Sequence, residues 1–117
     1  MVDIHCHLIP GIDDGAASLD ESLQMARLAV NDGIGTIICT PHQLGQNSHN
    51  TGAGIRQATR NLQRELQAAN IPLRVLPGGD VRIENNMLAA LQAGTVMTLG
   101  DHRKHVLLEL PHELYFP

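Results

Sequence analysis

Apolar positions along the chain keep two rhythms that take turns: short β-prone runs, and stretches with an apolar residue at every third or fourth position. Val2 to His7 alternates and predicts a first strand. A polar turn through Gly11, Asp13, Asp14 and Gly15 leads to Ser18-Leu19-Asp20-Glu21, an S-x-x-E capping box that opens a helix. The apolar stripe of that helix is Leu19, Leu23, Ala26 and Val30, and Gly33 stands where a C-terminal cap belongs. Gly35 to Thr40 is a nearly continuous apolar run, the pattern of a strand buried on both faces. Gln43 to Gly54, rich in Gly, Asn and Ser, predicts a mobile loop. A second helix carries Ile55, Ala58, Leu62, Leu66 and Ala69 and ends near Asn70, because Pro72 cannot continue it. Leu73 to Leu76 predicts a third strand, closed by Pro77-Gly78-Gly79. Asn85 or Asn86 caps a short helix that uses Met87, Leu88 and Leu91 and ends at Gly94. Gly100 to Lys104 is a polar turn, and His105 to Leu110 a fourth strand. Strand and helix alternate three times before the last strand, which predicts βαβ units and an α/β fold with a parallel sheet.

Composition narrows what such a sheet does. The 117 residues suit one domain, and 43% apolar with 17% charged residues excludes a disordered or low-complexity chain. A net charge of −4, no Trp, one Tyr and one Phe leave neither the basic face nor the stacking platform of a nucleic-acid binder. Two Cys beside seven His argue against a disulfide scaffold and for a reducing compartment. No apolar run nears the roughly 18 residues of a membrane span. Asp3 follows Met1 too closely for a signal peptide, so the expected location is the cytoplasm, without membrane insertion.

The chemistry-bearing residues fall at the ends of the predicted strands. His5-Cys6-His7 closes the first, and strand period two sends both imidazoles to one face with Cα atoms about 6.6 Å apart. His42 follows the second strand, Asp80 the third, and Glu109 sits near the end of the fourth; Asp14 joins them from the first loop. Singly, Asp14 and Asp80 read as turn or cap residues, Glu109 as an edge-strand charge and the histidines as half-buried structural groups. Together they gather at the carboxyl ends of parallel strands, where α/β folds bind ligands, and predict a metal cluster. Imidazole and carboxylate ligands suit Mn, Fe or Zn, and several carboxylates allow bridging between more than one cation. Phosphomonoester hydrolysis is the natural reaction class, with amide or lactone hydrolysis by an amidohydrolase-like barrel open as well. Cys6 and Cys39 are expected to be small core residues, and His49, His102, His105 and His112 to be solvated. Arg82, two residues past Asp80, fits either a phosphate contact or a surface arginine.

The segments MVDIHCHLIPGIDDGA, TIICTPH, LPGGDVRI and VLLELP, in order along the whole chain, resemble the PHP-type (polymerase and histidinol phosphatase) tyrosine-protein phosphatases of bacterial capsule and exopolysaccharide systems. The resemblance implies the N-terminal portion, about four β/α units, of a distorted TIM-like (β/α)7 barrel, with residues 1–117 a partial PHP domain. It implies up to three metals, usually manganese, with Fe or Zn as alternatives. His5 and His7 match ligands of the first metal, Glu109 of the second, and Asp14 with His42 of the third. Asp80 stands where the family has a bridging Glu. The implied substrate is phosphotyrosine in a cognate bacterial tyrosine kinase of polysaccharide export. The second half of the family, which carries an H-x-E-R stretch and a late D-x-H, has no counterpart among these 117 residues, and a barrel of this kind needs about 250 residues. The chain therefore reads as a fragment with exposed sheet edges that invite self-association. Two other functions stay open: an inactive metal-binding or regulatory fragment, and a small-molecule phosphatase of the histidinol-phosphate type.

Overall fold

A computed structural model describes residues 1–110. Along the chain run β1 (Val2–Cys6), α1 (Leu19–Asn31), β2 (Thr36–Cys39), β3 (His42–Gln43), α2 (Gly52–Ala68), β4 (Arg74–Pro77), β5 (Asp80–Arg82), α3 (Met87–Ala93) and β6 (Leu107–Glu109). A 3-10 turn at Leu99–Asp101 takes the place of the predicted polar turn. Every strand pairing is parallel, as the βαβ alternation requires, but the strands form two three-stranded sheets, β1-β2-β4 and β3-β5-β6.

The division corrects the expectation of one uninterrupted sheet. Each central strand is broken at the same level, β2 from β3 at Thr40-Pro41 and β4 from β5 at Gly78-Gly79. Pro41 has no N–H to give to a ladder. Opposite it, a Cβ at Gly78 would stand 2.8 Å from Ile38 Cγ2 and 3.1 Å from the Cys39 carbonyl oxygen, and one at Gly79 would collide with the Gln43 amide. The glycines let the two strands close in where the proline interrupts the pairing. Register survives the break, since Cys39 pairs with Pro77 and His42 with Asp80. The Asp80 N–H donates to the Pro41 carbonyl at 2.9 Å across the gap. The result is one kinked wall in the order β1, β2–β3, β4–β5, β6.

Helices cover one side of the wall. In α1 the Ser18 hydroxyl accepts from the Glu21 N–H, as the capping box predicts, but Glu21 reaches back to the N–H of Ala17, one residue before the cap. Its C-terminus closes as a Schellman motif, with the Gly33 N–H on the Val30 carbonyl and the Ile34 N–H on the Ala29 carbonyl. Helix α2 begins three residues before the first apolar position of its stripe, because Thr51 caps it by accepting from the Gly54 N–H. The loop predicted from Gln43 is shorter than expected at both ends. Gln43 belongs to β3, and its buried amide is fully used: it donates to Asn50 and Thr95 carbonyls and accepts from the Met97 N–H. Helix α3 keeps its predicted place and its Gly94 end, but its stripe is only half covered and Leu88 is exposed.

The core lies between α1, α2 and the covered side of the wall: Ala26, Ile37, Cys39, Ile55, Leu62, Leu66 and Val75 pack there with Leu8 and Met97. Ser22, polar and buried in α1, donates to the Leu8 carbonyl at 2.6 Å and fixes the segment that leaves β1. Among the described residues, large exposed apolar side chains include Val2 and Ile4 on β1 and Leu108 and Leu110 at β6, the two outer strands. No helix of the described residues is long and apolar enough to cross a membrane.

Candidate metal centre

All six residues expected to carry chemistry meet on the wall, at or just past the ends of β1, β2 and β4, at the first residues of β3 and β5 and at the end of β6. Strand β1 supplies His5, and His7 follows one residue past its end. The one-residue register shift between Asp3 and Cys6 is a bulge that breaks strict alternation. The two rings still converge, with Nε2 atoms 3.3 Å apart. Asp80 opens β5, almost fully buried, and its Oδ2 lies 3.5 Å from His5 Nε2, 3.6 Å from His7 Nε2 and 3.4 Å from His42 Nδ1. His42 opens β3, directly across from Asp80 in register. Its Nδ1 is 3.1 Å from Glu109 Oε2 on β6, and its Nε2 is 3.1 Å from Asp14 Oδ1.

Sequence reasoning missed Asp13. Its carboxylate is buried beneath the cluster, where Oδ2 accepts from His7 Nδ1 at 2.9 Å and from the His42 N–H at 3.0 Å, and Oδ1 accepts from the Gly15 N–H at 2.9 Å. With Nδ1 of His7 committed to Asp13, Nε2 is turned toward His5 and Asp80, the carboxylate–histidine arrangement that fixes a ligand's tautomer. Burial works to raise the Asp13 pKa, but the hydrogen bonds from His7, Gly15 and His42 prevail and hold it at about 2. The same bond to Asp13 raises the pKa of His7 against the opposing effect of burial. The signal for Asp13 was present in Asp13-Asp14-Gly15, since an Asp two residues before a Gly commonly bonds its backbone N–H. Only the neighbour, Asp14, was singled out, and its side chain is 81% exposed.

The ligand-type atoms form three overlapping groups, each within 4.8 Å: His7, Asp13, Asp14 and His42; His5, His7 and Asp80; His42, Asp80 and Glu109. Imidazole nitrogens and carboxylate oxygens are the donors that Mn, Fe and Zn accept, and His7, His42 and Asp80 each belong to two groups. The donor set therefore fits divalent cations. Among the described residues, no other histidine or cysteine singled out in the sequence joins it. His49, His102 and His105 are exposed, as expected, and His112 lies outside the described residues. Cys39 is buried and Cys6 half-buried. Burial, reinforced by Asp3, pushes the Cys6 thiol up to about 11, and burial likewise raises Cys39, so neither is poised as a nucleophile.

Parallel strands whose ends gather three imidazoles and four carboxylates define an α/β protein with a candidate multi-metal centre. The chain belongs to the family described as capsular polysaccharide synthesis, CpsB/CapC, whose model matches residues 1–116. It is 42% identical over 113 residues to the tyrosine-protein phosphatase YwqE of Bacillus subtilis, covering 97% of this chain and 44% of that protein. With the tyrosine-protein phosphatase CpsB of Streptococcus agalactiae it shares 28% over 109 residues, 93% of this chain and 44% of that one. A solved chain reported with the crystal structures of YwqE from Bacillus subtilis and CpsB from Streptococcus pneumoniae, described as unique metal-dependent tyrosine phosphatases, matches with a TM-score of 0.90 at 42% identity. That match covers 95% of this chain and 44% of the solved one. The chain thus spans less than half the length of the relatives it matches.

Proposed function

We propose that the parent activity is metal-dependent hydrolysis of protein phosphotyrosine, acting on a bacterial tyrosine kinase of capsule or exopolysaccharide synthesis in the cytoplasm. The observation that carries this is the sharing of His7, His42 and Asp80 between ligand groups, which suits adjacent cations rather than a single structural ion. The family and the named relatives supply the substrate class. In this reading the described strands are the N-terminal portion of a distorted (β/α)7 PHP barrel, and residues 1–117 are one partial domain of it.

His5 and His7 would hold one cation with Asp80, Glu109 a second with Asp80 as the bridge, and Asp14 with His42 a third. Manganese is the proposed occupant. Divalent cations at such a centre supply a water of lowered pKa and a positive charge beside the phosphoryl oxygens. The chain's own contribution is orientation. Asp13 fixes the His7 tautomer through Nδ1 and ties the β3 backbone at His42 to the same carboxylate. The kink in the wall brings Asp80 between three imidazoles, and β6 places Glu109 against His42. Asp80 is one methylene shorter than the Glu expected there, and its single Oδ2, about equally far from all three rings, stands at the place where a bridge is needed.

The test is manganese-dependent release of phosphate from a phosphotyrosine peptide, with metal content measured on the same sample and histidinol phosphate as the competing substrate. Turnover on the peptide that disappears in His5→Ala is the expected result for the parent activity. Preference for histidinol phosphate would contradict the substrate class. A second reading, a chain that holds metal without turnover by itself, is favoured by its match to only 44% of the relatives' length. It predicts bound manganese with no phosphate release.

A further inference from the structure

Beside the candidate centre lies an open cavity of about 450 Å3, lined by Asp14, His42 and Glu109 on one side and by Gln46, Asn47 and Arg82 on the other. That volume is in the range of small-molecule sites. Among the described residues, Arg82 is the one arginine or lysine of its lining. Strand β5 places it two residues beyond Asp80, hence on the same face, and opposite Glu109 in register. Glu109 does not neutralise it, because the Glu109 carboxylate turns to His42, and among the described residues Arg82 forms no ion pair.

Its stem is held from the other side. Gly45 has φ +56°, and a Cβ there would stand 2.7 Å from Arg82 Cδ, so the loop after β3 lies directly on the arginine's methylenes. The Gly45 N–H donates to Glu84 Oε2 at 3.3 Å, anchoring that loop to the segment after β5. Gln46 and Asn47 follow on the same loop and add amide groups to the cavity. A half-buried arginine whose stem packs against a loop, which lines a cavity beside a ligand cluster and has no carboxylate partner among the described residues, is an arrangement suited to an anion. Its planar fork matches the paired oxygens of a phosphate.

We propose that Arg82, with Gln46 and Asn47, binds the non-bridging oxygens of a phosphate monoester dianion and holds it against the candidate metal centre. This inference rests on the phosphatase reading of the same centre and names the residues that receive its substrate. Neutralising the dianion from the Arg82 side while metal ions face it from the other would fix the phosphorus between the two walls of the cavity.

The experiment is calorimetric titration of inorganic phosphate into the manganese-loaded 117-residue chain, with metal content determined on every sample. Wild type binds phosphate, and Arg82→Gln weakens it by about tenfold or more at unchanged metal content, the scale of a lost charge-assisted pair. Arg82→Lys, which keeps the charge without the fork, falls between the two. Equal affinity in wild type and Arg82→Gln overturns the anion site while leaving the metal centre intact. Metal-loaded wild type that binds no phosphate overturns it too, and a chain that takes up no metal overturns both this site and the reading on which it rests.

Discussion

Asp13 and Asp14 are neighbours in sequence with opposite surroundings, and replacing each by alanine in the metal-free chain separates structural from exposed carboxylates. Asp13→Ala removes three hydrogen bonds at once, from His7 Nδ1, the Gly15 N–H and the His42 N–H, at 2.9–3.0 Å. At about 1 kcal/mol net for each partly buried bond, the expected loss is about 3 kcal/mol. Asp14→Ala removes one contact, 3.1 Å to His42, from a side chain that is 81% exposed, and should change stability by less than about 0.5 kcal/mol. Urea unfolding at pH 7 in the presence of a chelator measures both. Acid narrows the difference: Asp13 contributes fully above its ordinary 3.8 and loses its contribution as pH falls through about 2. His7 works in the opposite sense. Its raised pKa means that the charged part of its pair with Asp13 is present at low pH and is lost as pH rises through that elevated value. Asp13→Ala and Asp14→Ala variants of equal stability would refute the reasoning. If Asp13→Ala does not fold, Asp13→Asn decides, since a wild-type midpoint for the amide would show that the charge and its bonds carry nothing.

Asp80→Asn weakens a ligand in two groups and His5→Ala removes one from a single group, so metal content by mass spectrometry should fall further in the first; equal falls would mean that Asp80 is not shared. Gly78→Ala puts a methyl 2.8 Å from Ile38 Cγ2 and 3.1 Å from the Cys39 carbonyl at the kink, and should cost about 2 kcal/mol or more by urea unfolding. Arg56→Ala breaks the two-bond pair with Asp101, 2.8 and 3.1 Å, but each side chain is about a third exposed, so the loss is held to about 1 kcal/mol or less. Arg56 keeps Asp101 below its ordinary 3.8, so this difference is present above that value and disappears as pH falls through the depressed one.

The strand–helix alternation, three of the helix ends and the gathering of six ligand-type residues on one part of the wall were legible in the chain because each rests on local chemistry. Ser18, Gly33 and Gly94 mark helix ends by capping geometry, and His5, His7, His42, Asp80 and Glu109 follow from where parallel strands end. What escaped was set by contacts between distant segments. The kink depends on Pro41 facing Gly78-Gly79 across the pairing, and neither pattern alone breaks a strand. Gln43 looks like a loop residue in sequence, and it is buried because three backbone partners from two later segments use both ends of its amide. Asp13 was overlooked because its importance lies in His7 and in the His42 N–H, 29 residues away in the chain. Thr51 escaped because the glycines at 52 and 54 disguise the first turn of α2.

The central claim is that the residues at the strand ends hold more than one divalent cation, and anomalous scattering at the manganese edge tests it most directly. Crystals of the chain grown with manganese should show separate peaks on either side of Asp80, one toward His5 and His7 and one toward His42 and Glu109, with a further peak between His42 and Asp14. A map without peaks among these residues, at a manganese concentration that saturates the protein in solution, would contradict the account.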